Sequence, residues 1–281
     1  MYMRKINTRI IEEKIYGMAL QAGVNLSPSC KDALNESLKN EESEACAFAL
    51  KTLIENAEIA KKSETAVCQD TGMSVVILEI GQEVFLEGKN LKDAVNDGVR
   101  RAYDDGYFRK SVCDPLTREN TADNTPAVIH TEITEGDKIK ITYMPKGFGS
   151  ENMSKLYMLK PAQGVEGIID AIVQTVKVAG SRPCPPVYVG VGIGGTFDSC
   201  AFLAKKALTR DIGTSNPRED VAEIEKEALK RVNELNIGCQ GFHGSVTALG
   251  VSCEWLPTHI AGLPVAVNIQ CHCVRCEKDT V

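Results

Sequence analysis

The sequence lacks any apolar run long enough to cross a membrane, and it is poor in aromatic residues. No stretch of about 18 or more apolar residues occurs, and Phe, Tyr and Trp make up only 5% of the 281 residues. The opening Met1-Tyr2-Met3-Arg4-Lys5 is not followed by the apolar core of a signal peptide. We therefore expect a cytoplasmic chain.

An excess of positive charge is also absent. The 32 Lys and Arg residues are outnumbered by 38 Asp and Glu residues, which gives a net charge of −6. This balance argues against nucleic acid as the main partner, because a polyanion selects a basic surface. A small anion can still bind a local basic pocket. The hydrophobic share of 43% and the charged share of 25% are those of a globular protein.

Cysteine, by contrast, is abundant, with eleven residues. The odd number and the wide spacing do not suit a secreted disulfide framework. Cys273-Val274-Arg275-Cys276 resembles half of a zinc knuckle, but the sequence contains no second Cys-x2-Cys or His-x3-His pair. The cysteines are therefore expected to be core residues, metal ligands or both.

Hydrophobic periodicity predicts helices at the start of the chain. Apolar residues recur at helical spacing up to about Lys62 and predict three helices there. The β-branched run within Met73–Ile80 predicts the first strand. Two alternating segments between Val128 and Met144, joined by Glu135-Gly136-Asp137, predict an antiparallel hairpin.

From Val165 to Ile269, predicted helices alternate with predicted strands. This order predicts the α/β class, with a mixed sheet that contains the antiparallel hairpin and a helical N-terminal layer at residues 1–62. No internal repeat or low-complexity linker interrupts the sequence. We therefore expect residues 1–281 to form a single domain.

Two cysteines stand in loops next to predicted strands. Cys68 lies in Val67-Cys68-Gln69-Asp70-Thr71-Gly72, which is explained either by a buried cysteine beside an Asx turn or by a functional loop. Cys184 lies in Arg182-Pro183-Cys184-Pro185-Pro186, whose prolines predict a stiff extended segment. A rigidly held thiolate suits an iron ligand, but a proline-rich connection explains the same residues.

Two further motifs accompany the later predicted strands. Cys271-His272-Cys273 ends the last strand, and a site of three cysteines from distant loops would leave one coordination position open for substrate. The glycines of Gly190-Val191-Gly192-Ile193-Gly194-Gly195 formally satisfy the dinucleotide fingerprint. A second strand with an acidic end does not follow them, so a glycine turn is favoured whose backbone N–H groups face an anion or which lets another chain approach closely.

Taken together, the motifs resemble the iron-sulfur class I fumarase family, and in particular the α subunit of two-subunit fumarate hydratases and L-tartrate dehydratases. The resemblance covers nearly the whole chain. The matching segments are, in order, Val67–Gly72, Asp123–Pro126, Lys146–Asn152, Cys184–Pro186 with Gly190–Asp198, and His259–His272.

The resemblance implies a [4Fe-4S] cluster held by Cys68, Cys184 and Cys271, with the fourth iron free to bind substrate and to act as a Lewis acid. It implies Asp70 as the catalytic acid or base. The substrate contacts that it implies come from Gln69, Arg109, the backbone of Gly149, and His259. Because the family ending Cys-His-Ala-x-Arg here has Cys273 in place of alanine, Cys273 stays open as an alternative ligand.

The resemblance further implies a hydro-lyase that hydrates fumarate to malate reversibly, with L-tartrate dehydration as the alternative. Single-chain family members continue into a second domain that supplies further catalytic residues. We therefore expect a separate β subunit, a hetero-oligomer and an exposed apolar face where the subunits meet. Two other classes stay open, namely a non-catalytic zinc-binding or redox-sensing protein and a dinucleotide-binding oxidoreductase.

Overall fold

The computed structural model describes residues 3–281, which divide into two compact units. The first unit takes the residues up to Ser27, Asn56–Phe148 and Arg275–Val281, and the second takes Pro28–Glu55 and Gly149–Val274. Met1 and Tyr2, which begin the segment examined for a signal peptide, lie outside the described residues. The single domain expected for residues 1–281 stays a prediction.

The order of helices and strands confirms the mixed α/β class. The elements are β1 (Arg4–Asn7), α1 (Thr8–Val24), α2 (Pro28–Asn40), α3 (Glu44–Ser63), β2 (Met73–Gly81), β3 (Val84–Glu87), α4 (Leu91–Asp105), β4 (Val128–Thr134), β5 (Ile139–Lys146), α5 (Phe148–Glu151), β6 (Lys155–Leu159), α6 (Gly164–Ala179), β7 (Val187–Gly194), α7 (Phe197–Ala207), α8 (Glu219–Asn233), β8 (Ala248–Leu256), β9 (Leu263–Gln270) and β10 (Glu277–Thr280). The three predicted N-terminal helices are present as α1, α2 and α3. Within the described part of the chain, no helix has the length and apolar composition needed to span a bilayer.

The first unit is built on a four-stranded sheet in the order β10-β5-β2-β4. Helix α4 connects β2 to the parallel strand β4, and helix α1 packs against α4 and β5. The helices supply apolar residues at helical spacing and the strands supply every second residue, so both bury one face. The resulting core includes Ile11, Ile15, Leu78, Val95, Val99 and Ile141.

The predicted hairpin between Val128 and Met144 is wrong in its pairing, although both strands form. Strand β2 lies between β4 and β5, running parallel to β4 and antiparallel to β5. The turn that joins β4 to β5 is therefore not a hairpin turn, because the two strands that it joins are not neighbours. Its backbone instead accepts hydrogen bonds from the β2–β3 turn, including Gly81 N–H to Lys138 O at 2.8 Å and Glu83 N–H to Gly136 O at 3.0 Å.

The second unit is built on a four-stranded sheet in the order β6-β9-β7-β8, in which β7 is parallel to β8 and antiparallel to β9. One face carries large aliphatic residues and packs against α6 and α8. The other face packs against α7, where the side chains are small. Because side chains alternate along each strand, one face of the sheet contributes to a Val- and Ile-rich core and the opposite face allows a helix to pack closely.

The glycines of the formal dinucleotide fingerprint serve this close contact. A Cβ atom on Gly190 would lie 2.2 Å from Ala204 O, and one on Gly192 would lie 2.1 Å from Cys200 O. Both colliding atoms belong to the backbone of α7, which follows β7 directly. The close approach allowed by the glycine pattern is thus made by a helix of the same chain.

Replacing Gly192 by alanine is expected to destabilise the protein. The added methyl group meets helix backbone that cannot move without disturbing the sheet, so the free energy of unfolding should fall by about 1–3 kcal/mol. Urea unfolding measures the change. Gly17→Ala is the control, because nothing lies within 4 Å of that Cβ position in α1 and alanine should stabilise the helix by about 0.5–1 kcal/mol. Equal effects of the two variants would contradict the packing argument.

Candidate active-site residues

Asp70 lies on the loop between α3 and β2, and its carboxylate is fixed by two backbone donors. Oδ1 accepts the N–H of Gly72 at 3.1 Å, and Oδ2 accepts the N–H of Phe148 at 2.8 Å. Gly72 has a φ of 83°, and a Cβ atom there would lie 2.8 Å from the backbone nitrogen of Lys146. The Asp70 loop therefore closes against the end of β5 with the carboxylate half-buried.

Two buried cationic residues border the same turn. Lys146 is 1% exposed and donates from Nζ to Gly147 O at 3.2 Å. Arg275 is also 1% exposed and donates from Nη2 to the backbone carbonyl of Asp70 at 3.0 Å. A Cβ atom on Gly147 would lie 3.0 Å from Asp70 Oδ2. The turn thus combines a tightly enclosed carboxylate with positive charge, which suits the handling of an anionic substrate.

The loop that carries Arg109 is joined to the Asp70 loop. Thr71 Oγ1 donates to Arg109 O at 2.6 Å. The side chain of Asn124 accepts the N–H of Ser111 at 2.8 Å and donates to Gly72 O at 3.2 Å. The Arg109 side chain itself is exposed, as is that of Gln69, which precedes Asp70. The first unit therefore brings Gln69, Asp70 and Arg109 together on adjoining loops.

Tyr103 of α4 is hydrogen-bonded to the Asp70 loop. This residue was not predicted from the sequence as part of the site. Its hydroxyl lies 2.8 Å from Thr71 O and 2.9 Å from Gly72 O, and the residue is 1% exposed. Burial raises the pKa of Tyr103, so the phenol keeps the proton that it donates to this pair of carbonyls. Its place within the apolar stripe of α4 gave no sign of this role.

Cys68 lies in the first unit, two residues before Asp70, and is partly exposed. The preceding residue is held at both backbone groups, because Val67 N–H donates to Gly23 O at 3.0 Å and Asn56 Nδ2 donates to Val67 O at 2.9 Å. The thiol thus follows an anchored residue on a loop accessible to solvent.

Cys184 and Cys271 come together in the second unit, through His272. The carbonyl of Cys184 accepts the backbone N–H of His272 at 3.2 Å and lies 3.0 Å from His272 Nδ1. The expectation of an extended backbone at Cys184 is wrong, because its φ is 54°. Its N–H donates to Ser181 O at 3.1 Å, so the segment turns instead of continuing straight.

Accessibility separates the predicted cysteine ligands from most of the other cysteines. Cys184 is exposed, and Cys68 and Cys271 are partly exposed. Burial raises the pKa of Cys30, Cys46, Cys200, Cys239 and Cys253. Thiols of this kind resist the ionisation that an iron ligand requires. The alternative ligand Cys273 is 1% exposed.

Gly149 lies near the Cys184 segment, since a Cβ atom there would lie 3.9 Å from Arg182 O. It is exposed in the short helix α5.

Over residues 3–281, no group of three His, Cys, Asp or Glu side chains is arranged to hold a metal ion. A cavity of about 630 Å³ between α8 and β8 includes none of the predicted site residues.

His259 lies at the other end of the sheet from Cys184 and Cys271. It is on the loop between β8 and β9, whereas Cys271 follows β9 directly. β9 has eight residues, so at about 3.3 Å per residue its ends are roughly 25 Å apart. Thr258 Oγ1 also donates to Gly195 O at 2.8 Å, which ties the His259 loop to the end of β7 opposite Cys184. The structure does not bring His259 to these cysteines within one chain.

Comparison with known proteins confirms the resemblance found in the motifs. The family model described as Fumarate hydratase (Fumerase) matches residues 12–279. The chain is 42% identical over 267 residues to a protein of Methanocaldococcus jannaschii named putative L(+)-tartrate dehydratase subunit alpha, and the match covers 93% of this chain and 94% of the relative.

Two further relatives carry related names. The L(+)-tartrate dehydratase subunit alpha of Escherichia coli (strain K12) is 30% identical over 224 residues, covering 78% of this chain and 74% of the relative. The putative fumarate hydratase class I of Geobacillus stearothermophilus is 28% identical over 275 residues, covering 94% of this chain and 53% of the relative. This chain therefore spans about half the length of the Geobacillus protein.

Removing the Tyr103 hydroxyl is expected to loosen the loops beneath Asp70. Tyr103→Phe removes a hydrogen-bond donor from the buried carbonyls of Thr71 and Gly72, of which only Gly72 O keeps the Asn124 amide, and should lower the free energy of unfolding by about 1–3 kcal/mol. Chemical denaturation measures the loss. Tyr107→Phe is the matched control, because Tyr107 is 94% exposed and its hydroxyl should contribute less than about 0.5 kcal/mol. If both variants unfold like the unmodified protein, Tyr103 does not support the loops.

Proposed function

Because this chain belongs to the fumarate hydratase (Fumerase) family, we propose that it is the α subunit of a cytoplasmic iron-sulfur hydro-lyase that hydrates fumarate to malate reversibly. The observation that carries the proposal is the Asp70 carboxylate, held by two backbone N–H groups on a loop joined to that of Arg109. A carboxylate fixed in this way is suited to moving a proton on a dicarboxylate substrate.

L(+)-tartrate is the second candidate substrate. Two of the relatives, including the one that matches 94% of its own length, are named as tartrate dehydratase α subunits. Tartrate and malate share two carboxylates and a hydroxyl next to the departing proton. The same residues can therefore serve either reaction, and the substrate depends on groups that recognise the second hydroxyl.

We propose Cys68, Cys184 and Cys271 as the ligands of a [4Fe-4S] cluster. The donor chemistry fits, because thiolates on partly or fully exposed loops can reach an iron ion, whereas Cys273 is buried. The Cys184 and Cys271 loops already share the His272 hydrogen bond. When bound, the cluster supplies an open iron that acts as a Lewis acid on the substrate hydroxyl.

The remaining proposed residues hold the substrate and move one proton. Asp70 takes the C3 proton during dehydration and returns it during hydration, and its backbone hydrogen bonds orient the carboxylate for this transfer. Gln69 and the guanidinium of Arg109 bind substrate oxygen atoms, and so does the backbone N–H of Gly149. All three positions are exposed in this chain.

We propose a separate β subunit as the partner. Two relatives are named as α subunits, and the Geobacillus relative has nearly half its length beyond the region that this chain matches. The second unit exposes apolar side chains near His259, at the start of α7 (Phe197, 67% exposed), at the end of β8 (Leu256, 45%) and on the His259 loop (Ile260, 92%). Such a patch is typical of a surface that another protein covers.

Iron and acid-labile sulfide analysis tests the ligand assignment. The chain, produced with its β subunit and purified without oxygen, should contain iron and sulfide in about equal amounts. Cys68→Ser, Cys184→Ser and Cys271→Ser should each lose most of both. Cys113→Ser, which removes another partly exposed thiol, is the control and should retain them. Full iron retention in the three variants, or stoichiometric zinc without sulfide, contradicts the assignment.

A paired activity assay distinguishes the substrates. The assembled enzyme should convert fumarate to malate, which the loss of fumarate absorbance measures, and its kcat/KM for fumarate should exceed that for L-tartrate. A higher value for L-tartrate would make the tartrate dehydratase function correct. Activity with neither acid, in an enzyme that holds its cluster, contradicts both proposals.

His259 can contact a substrate held near Cys184 and Cys271 only from another copy of the chain, since β9 separates these positions. We therefore propose that it acts in a second copy, and a hybrid enzyme tests this. Asp70→Asn should abolish most turnover and His259→Ala should reduce it strongly. Mixing the two variants should restore about a quarter of the normal activity. When the copies pair at random, half of the dimers contain one copy of each variant, and in such a dimer one site of two combines an intact Asp70 with an intact His259.

The two single variants are the controls for this hybrid experiment. If His259 acts within its own chain, no hybrid site is complete and the mixture stays as inactive as its components. If His259→Ala alone has normal activity, His259 does not contact the substrate. Near-normal activity of Asp70→Asn removes Asp70 from the mechanism.

A further inference from the structure

Gln240 joins the loops that carry two of the proposed cluster ligands. It lies in the short 3-10 turn Cys239–Gly241 of the second unit, with a φ of 53° that non-glycine residues rarely adopt. Its backbone N–H and its side-chain Nε2 each donate to the carbonyl of Pro185 at 2.8 Å. One residue thus supplies both donors to the carbonyl that directly follows Cys184.

The same amide also meets the Cys271 side of the junction. Gln240 Nε2 lies 3.3 Å from Nδ1 of His272, the residue after Cys271. Nδ1 also lies 3.0 Å from the Cys184 carbonyl, so the His272 ring stands between that carbonyl and the Gln240 amide, which donates to Pro185 O. Gln240 therefore lies at the point where the Cys184 and Cys271 loops meet.

The turn that presents Gln240 is itself anchored. The N–H of Cys239 donates to Cys46 Sγ at 3.2 Å, and both cysteines are fully buried. A Cβ atom on Gly241 would lie 2.6 Å from the Cβ of Ser181, so the turn packs closely against the start of the Cys184 segment. An anchored donor pair restricts its acceptor more than a mobile one, because less conformational freedom remains to be lost.

We propose that Gln240 is a positioning residue, which holds Cys184 and Cys271 at the spacing that a bound cluster requires. This inference rests on the proposed function. Gln240 does not touch the substrate or iron in this role. It acts through the Pro185 carbonyl and the His272 ring. Groups that are next to metal ligands commonly orient those ligands in this way.

The test uses two substitutions of Gln240. Gln240→Gly keeps the backbone donor and adopts the positive φ without strain, so it removes only the amide. Gln240→Glu keeps the size but places a carboxylate oxygen opposite the Pro185 carbonyl. Arg118→Gly is the matched control, because Arg118 also has a positive φ, of 64°, and is remote in sequence from all three proposed ligands.

The first measurement needs no cluster. In the metal-free complex, the Cys184 thiol should react with a small disulfide reagent on the order of tenfold faster in Gln240→Gly, since one hydrogen bond that restrains the segment is lost. Subtracting the rate of the Cys184→Ser forms isolates this thiol. Gln240→Glu should react faster still, and Arg118→Gly should match the unmodified protein. Urea midpoints show whether each variant is folded.

The second measurement uses the loaded complex. Gln240→Gly should release iron to a ferrous chelator on the order of tenfold faster, and the EPR spectrum of its cluster after one-electron reduction should change in shape. A merely structural role would lower the urea midpoint and leave the spectrum unchanged. Unaltered thiol reactivity and spectrum in a folded Gln240→Gly variant overturn the proposal. An unmodified complex that takes up no iron instead contradicts the proposed function, and with it this inference.

Discussion

The arrangement of the candidate residues in the first unit depends on one interaction, in which the Asp70 carboxylate accepts the N–H groups of Gly72 and Phe148. A carboxylate that is hydrogen-bonded only to water could not hold two loops together, because each loop would then adopt its own conformation of lowest free energy. Here the two donors come from segments far apart in the chain, so the carboxylate sets the position of the turn after β5 as well as its own. Tyr103 then adds hydrogen bonds to the carbonyls of Thr71 and Gly72, and Asn124 adds one to that of Gly72.

The second unit depends on the direction of its strands. Strand β9 connects the His259 loop to Cys271. Strand β7 connects the Cys184 segment to Gly195, whose carbonyl accepts a hydrogen bond from Thr258 of the His259 loop. The two antiparallel strands thus place both cysteines at one end of the sheet and the histidine at the other. Twelve positions separate His259 from Cys271 in the sequence, and extended backbone converts that short separation into a long distance.

Much of the secondary structure could be predicted because it follows from local periodicity. The three helices predicted up to about Lys62 are α1, α2 and α3, and the strand predicted within Met73–Ile80 is β2. The short strands β1, β3, β6 and β10 were not predicted, since four or five residues carry too little pattern to distinguish a strand from a loop. The hairpin failed for a different reason: two alternating segments with a turn between them do not reveal that a third strand will lie between them.

The sequence by itself determined the family, the α/β class and the candidate residues, because these depend on motif order and on the identity of side chains. Only the tertiary structure decided which candidates share a loop system, that Cys184 turns through a positive φ, and that His259 lies far from Cys271. It also decided the contacts of Tyr103 and Gln240, whose hydrogen bonds join segments distant in the chain. The physical reason is that a hydrogen bond depends on distance and direction in space, and local sequence patterns encode neither for residues brought together by folding.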